Sequence, residues 1–176
     1  MKIDGYRHIS QGVDETKKKI DQYRSGEIKP LLTSSKKERE LLRGFFPSSQ
    51  IVIAARLGVG KSANILSKMA DFTDPAINPH YTNKLIILYD SWEMNEVNNV
   101  LRLISRKANM EVKQMLDFDR QLTEERIKTL KIIADTFRGL PIYISTEPVS
   151  VKRWEYQKEQ IQGKFPDHTI INILYH

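Results

Sequence analysis

The chain has 176 residues, enough for one domain with a packed core and too few for two ordinary ones. It has no cysteine, which excludes a disulfide framework and a thiolate metal site, and its net charge of +6 suits acidic partners such as nucleotides or nucleic acid. No apolar run approaches the roughly 18 residues of a membrane span and the N-terminus carries no apolar signal stretch, so a cytoplasmic protein with no membrane partner is expected.

Residues 1–47 are polar and charged. Their stretch "VDETKKKIDQYRSG" predicts a helix whose apolar marks, Val13, Ile20 and Tyr23, are too sparse to fold alone. A lead-in segment with Pro30 and Pro47 follows, with a short helix predicted over Lys36 to Arg43. From Gln50 the pattern alternates strand and helix, which predicts an α/β domain over residues 48–176 with a mainly parallel sheet flanked by helices. The predicted strands are "QIVIA", "KLIILYD", "PIYIS" and "TIINILY", short apolar runs of the kind covered on both faces.

The first helix of this part is expected to present Ile65, Leu66, Met69 and Phe72 on one side. The next carries Val97, Val100, Leu101 and Ile104 at helical spacing. A third carries Ile127, Leu130, Ile133, Ala134 and Phe137 behind a Thr123 cap, with Glu124 and Glu125 in its first turn, and is expected to stop with Gly139 at C′ before Pro141. The last carries Val151, Trp154, Lys158 and Ile161 and ends at Gly163.

Between the first predicted strand and helix lies "AARLGVGKSA", one residue short of the phosphate-loop pattern G-x-x-x-x-G-K-[ST], because Ala55 stands where the first glycine belongs. Strand, glycine-rich turn and helix N-terminus make the required setting, since backbone N–H groups and the helix dipole converge there on anionic oxygens. Gly58 and Gly60 let the backbone turn, Lys61 reaches the β and γ phosphates, and the Ser62 hydroxyl holds Mg²⁺. The binding set is therefore Ala55, Arg56, Gly58, Val59, Gly60, Lys61, Ser62 and Ala63, with ATP and Mg²⁺ as cofactors. After the second strand, in "LYDSWEMN", Glu93 sits where a carboxylate could polarise an attacking water; by itself it could equally open the next helix.

Taken together, "IVIAARLGVGKSA", "LIILYDSWEM" and Arg102 resemble the RecA-like ATPase domain of DnaB-type replicative helicases. That family spells its phosphate loop Ala-Arg-Pro-x-x-Gly-Lys-[Ser/Thr], so the resemblance makes Ala55-Arg56 a family feature. It makes Ser91-Trp92-Glu93-Met94 the counterpart of Ser-Leu-Glu-Met and gives Glu93 the role of activating water, with Lys61 beside it as the other catalytic residue. It implies a P-loop NTPase core of RecA type, preceded by a linker helix that packs on the next subunit of a homo-oligomeric, hexameric ring. Single-stranded DNA is the implied track, with a primase or helicase loader as further partners.

Two features depart from the family. The glycine after Thr33 is replaced by Ser34. The Walker B strand "TIINILYH" offers Leu174 or Tyr175, depending on register, where an Asp belongs, so Mg²⁺ is left to Ser62 and the nucleotide unless the alignment slips. The family's DNA-binding loops and arginine finger would follow His176, so a fragment of a compact, phage-like helicase is expected. A RecA-like ATPase of another trade, a recombinase or signalling ATPase, and a nucleotide-binding module without hydrolysis are the rival readings. The four histidines are scattered without ligand spacing, and Trp92 and Trp154 are expected to pack rather than stack on a base.

Overall fold

The computed structural model describes residues 9–47, 49–56, 58–116 and 122–175. His8, His176 and residues 118–121, at the head of the run "FDRQLTEERIK", lie outside the described residues. Three parallel strands, β1 (Leu85–Ser91), β2 (Ile142–Ser145) and β3 (Thr169–Tyr175), form the sheet in the order β2-β1-β3. The central strand is buried at every residue but Leu88, which is why "LIILY" reads as a continuous apolar run. The helices are α1 (Ile9–Ser25), α2 (Lys36–Leu42), α3 (Lys61–Phe72), α4 (Glu96–Ala108), α5 (Val112–Met115), α6 (Glu124–Asp135) and α7 (Val151–Lys164).

All four residues expected on the face of α3 are buried, and they form the core with Leu85, Ile87, Tyr89, Leu103 and Tyr175. Burying a side chain of this size stabilises by about 1.5–3 kcal/mol, so the helix that begins with Lys61 is held firmly on the sheet. Asn95 caps α4, accepting from the Asn98 amide. Its buried face centres on Asn99, Leu103 and Ile104, whereas Val97 is 66% exposed. The expected stripe is thus displaced, because a polar residue at its centre is invisible to apolar periodicity.

Thr123 caps α6 as expected and accepts from the Arg126 amide at 3.2 Å. The expected face is half-buried, but the helix stops at Asp135, short of Gly139. Thr136, right-handed, takes the cap position, its hydroxyl donates to the Ile133 carbonyl at 2.7 Å, and Gly139 does not adopt a positive φ. Helix α7 runs one residue through Gly163 and is tied to the sheet by Trp154, whose Nε1 donates to Asp90 Oδ2 at 2.9 Å.

The predicted strand "QIVIA" does not join the sheet. Residues 50–55 form no ladder, and Val52 is 80% exposed. A β-branched run becomes a strand only beside a partner edge, and neither β2 nor β3 pairs with it. The segment instead borders a cleft of about 440 Å³ between its apolar side chains, Phe45 on the lead-in segment and Lys68 on α3.

The lead-in segment is stitched to this core. Leu31 is buried and bridges Phe45 antiparallel, and Asp71 of α3 accepts from Ser34 N and Ser34 Oγ, each at 2.9 Å, and from Arg106 Nη2 at 2.9 Å. Ser34, where the resemblance expects a glycine, therefore supplies a hydroxyl bond that glycine lacks. Lys68, also buried, pairs with Glu38 and donates to Asn64 Oδ1. Burial works to raise the Glu38 pKa, yet the bonds from Lys68 and Thr33 prevail and hold it below the ordinary value. Helix α1, by contrast, leaves Ile9, Val13 and Ile20 exposed, and its C-terminal turn makes a ring contact, Tyr23 against Phe46. No helix among the described residues is long and apolar enough to cross a membrane.

Candidate nucleotide site

The turn into α3 has the backbone that its glycines permit. Gly58 and Gly60 have φ of 81° and 89°, in the left-handed region that costs other residues energy. Gly60 is the N-cap and, having no side chain, leaves the first-turn amides without a side-chain cap. A Cβ at either glycine would meet nothing within 4 Å, so open space faces both. An uncapped helix start, open space and two adjoining polar side chains fit an anionic phosphate chain.

Lys61 and Ser62 are half-buried in the first turn of α3. Ala55, Arg56, Val59 and Ala63 are exposed around them. Of the expected strand, turn and helix, the turn and the helix are formed; the strand is not.

Glu93 lies in the bend between β1 and α4, ahead of the Asn95 cap, so it does not open the helix. The bend is pinned from beneath by Asn99, which is fully buried. Its amide nitrogen donates to Ser91 Oγ at 3.0 Å, to the Asn95 carbonyl at 3.1 Å and to the Met94 carbonyl at 3.3 Å. Ser91 Oγ in turn donates to the Met94 carbonyl at 3.0 Å. Asp90, the other carboxylate of this stretch, is engaged by Trp154 on α7. Glu93, by contrast, is exposed in the bend.

The phosphate loop meets β3 at Tyr175. Strand β3 pairs with β1 so that Tyr175 stands opposite Ser91, and alternation leaves Leu174 51% exposed while Tyr175 is only 5% exposed. The register therefore puts Tyr175 at the loop. Its hydroxyl lies 2.6 Å from Ser62 Oγ, and Lys61 Nζ lies 5.3 Å from its ring centroid. The Glu93 carboxylate is the leading cause of the raised pKa of the phenol, opposed by Ser62 and the Arg102 charge and assisted by burial. Lys61, Ser62, Glu93 and Tyr175 thus converge, with Arg102, exposed on α4, acting from its own helix.

Periodicity and motif reading missed Asn99 and the part played by Tyr175. A buried amide one helical turn past an Asn cap is a weak signal. A tyrosine ending an apolar strand carries none until the register is known.

The sequence matches the family described as DnaB-like helicase C terminal domain over residues 31–175, most of the chain. The chain belongs to that family. Among solved structures, the DnaB-like domain is similar to one described as an ATPase domain, with a TM-score of 0.75 and 20% identity over 99% of this chain and 58% of that one. It is also similar to a DnaB-like replicative helicase described with its interactions with primase, with a TM-score of 0.72 and 19% identity over 97% of this chain and 39% of that one. No curated protein matches. The RecA-like α/β fold expected from the sequence is therefore the observed one, and the chain spans little more than half the length of the first of these structures.

Proposed function

We propose that this domain binds ATP with Mg²⁺ at the turn into α3 and hydrolyses it as part of a replicative DNA helicase. The observation that carries the reading is the convergence of Lys61, Ser62 and Glu93 on one open, uncapped helix start in a domain of this family. Backbone amides of the turn grip the phosphates, with Ala55, Arg56, Gly58, Val59, Gly60 and Ala63 framing them. Lys61 leaves the Tyr175 ring to neutralise the β and γ phosphates, and the Ser62 oxygen is the ligand for Mg²⁺. When bound, the metal offsets charge between phosphate oxygens. Glu93 orients the water for in-line attack and takes up its proton.

The weakly packed apolar marks of α1 suit a linker helix, residues 1–47 serving as linker and lead-in and residues 48–176 as motor, with α1 seated on the next subunit of a hexameric ring. Such a ring would track single-stranded DNA through its backbone. A primase or loader would join it in a bacterial or phage-infected cytoplasm. The alternative, a module that binds nucleotide without hydrolysis, is favoured by one observation: β3 presents a phenol, not a carboxylate, to Ser62.

ATP turnover with and without single-stranded DNA, set beside Lys61→Ala and Glu93→Gln, tests the proposal. DNA-stimulated hydrolysis lost in both variants is the expected result. Binding that Lys61→Ala abolishes, without any turnover, selects the alternative; no binding at all overturns both.

A further inference from the structure

A second cavity lies on the other face of the sheet. Helix α7 does not close onto β1 and β2 along its whole length, and a space of about 300 Å³ remains between them. Its floor is two cross-strand pairs, Leu88 with Tyr143 and Asp90 with Ser145. Its roof is one stripe of α7, with Trp154, Lys158 and Ile161 at helical spacing. Side chains alternate along β1, so Asp90 faces this cavity while Ser91 shares the opposite face with Tyr175 and the phosphate loop. Asp90 is 7% exposed, and among the described residues its one hydrogen bond comes from a neutral donor, the Trp154 indole N–H at 2.9 Å. A carboxylate at that depth calls for further donors, since its two oxygens can accept about four. The Lys158 ammonium lies 3.1 Å from the centroid of the same indole and lines the cavity too. One anion and one cation therefore stand among apolar walls. They give no net attraction to a charged group, but they offer an acceptor and a donor to a neutral one.

We propose that this cavity takes a single amino-bearing nucleobase, cytosine or adenine, with its exocyclic amino group on Asp90 and the neighbouring ring nitrogen on Lys158. Both bases carry an amino donor beside a ring acceptor on one edge, the order that a carboxylate and an ammonium read. Thymine has a carbonyl oxygen in place of the amino group and would set an acceptor against the carboxylate. The volume is at the low end of ligand pockets, about 300–1,000 Å³, which suits one flat ring and not a whole nucleotide. The faces of the base would rest on Leu88, Ile161 and Tyr143, whose ring is 58% exposed at the mouth. The base is supplied either by a free nucleoside or by one residue of a single strand. The site stands independently of the nucleotide-site reading above, because it shares no side chain with the phosphate loop.

The experiment titrates cytidine and thymidine against the Trp154 indole N–H signal in proton–nitrogen NMR spectra, that signal being the one lost in Trp154→Phe. Labelled oligo-dC and oligo-dT of equal length are titrated by fluorescence anisotropy. A shift with cytidine and none with thymidine is the expected result for a free nucleoside. Oligo-dC binding about tenfold tighter than oligo-dT, with neither nucleoside moving the signal, assigns the site to a strand. Either preference should shrink to within about twofold in Asp90→Asn, which keeps the shape and an acceptor for Trp154. It should shrink likewise in Gln157→Trp, which fills the cavity from its exposed rim, circular dichroism confirming the fold of each variant. Lys61→Ala should leave the preference unchanged. No binding of any probe, equal response to cytosine and thymine, or a preference that survives in either folded variant overturns the proposal and leaves the nucleotide site untouched. A preference lost in Lys61→Ala assigns the binding to the phosphate loop and overturns the proposal as well.

Discussion

Replacing Asn99 separates the scaffold of the Glu93 bend from its chemistry. The Asn99 amide nitrogen reaches Ser91 Oγ and the carbonyls of Met94 and Asn95, while its own Oδ1 is buried without a partner. In Asn99→Ala no acceptor is wholly orphaned. Met94 keeps the Ser91 hydroxyl, and Asn95 keeps the backbone N–H of residue 99. Two or three bonds worth about 0.5–1.5 kcal/mol each are lost, and release of the unpaired oxygen returns about 1 kcal/mol, so the net cost is about 1–2 kcal/mol. For a domain of this size that lowers the Tm by about 3–6 °C. Asn99→Asp, nearly the same shape, turns its donors into a charged acceptor facing two carbonyl oxygens and should cost more, about 3 kcal/mol or above. Urea unfolding gives the stabilities, and amide hydrogen exchange over residues 92–95 reports the bend, which should open first in both variants. If Asn99→Asp is as stable as Asn99→Ala, or exchange in the bend does not change, Asn99 does not hold Glu93 in place.

The Glu38–Lys68 pair makes stability depend on pH. Glu38 lies below its ordinary value in the folded chain, so its contribution is present above the unfolded carboxylate pKa of about 4.3 and is lost as pH falls through the depressed folded value. Glu38→Gln should therefore lower the Tm at pH 7 and narrow its gap to wild type under acid, as followed by circular dichroism; an equal gap at all pH values would refute the assignment. Asp71→Ala leaves Ser34 N–H and the Ser34 hydroxyl without their acceptor and should destabilise by about 3 kcal/mol or more, the loss of two hydrogen bonds to a charged group. Arg106→Ala should cost clearly less, because that side chain is 41% exposed and screened by water. Limited proteolysis should find new cuts near residues 26–35 only in the Asp71 variant, and a reversed order would place the lead-in segment's anchor elsewhere.

What could be read from the sequence was whatever repeats along one element. The α3 face, the Thr123 cap and the apolar β1 run are local patterns, and the structure keeps them. What could not be read depended on partners distant in the chain. "QIVIA" has every mark of a strand, yet strand formation is a property of pairs, and among the described residues it has no pair. Gly139 offered a helix stop, but a threonine hydroxyl reached a carbonyl first, three residues earlier.

Tyr175 shows the same limit at the site itself. From sequence, Leu174 and Tyr175 are two registers of one apolar run. A shift by one residue would turn the phenol away from Ser62 and leave the loop facing an alkyl chain, because side chains alternate across a strand. The seven-residue pairing of β3 with β1 decides between them, since it places Ile171 and Ile173 against the core on the same face as Tyr175. The apolar packing of two isoleucines therefore determines which polar atom meets the phosphate loop. The chemistry of the site is set by the register of the strand beneath it.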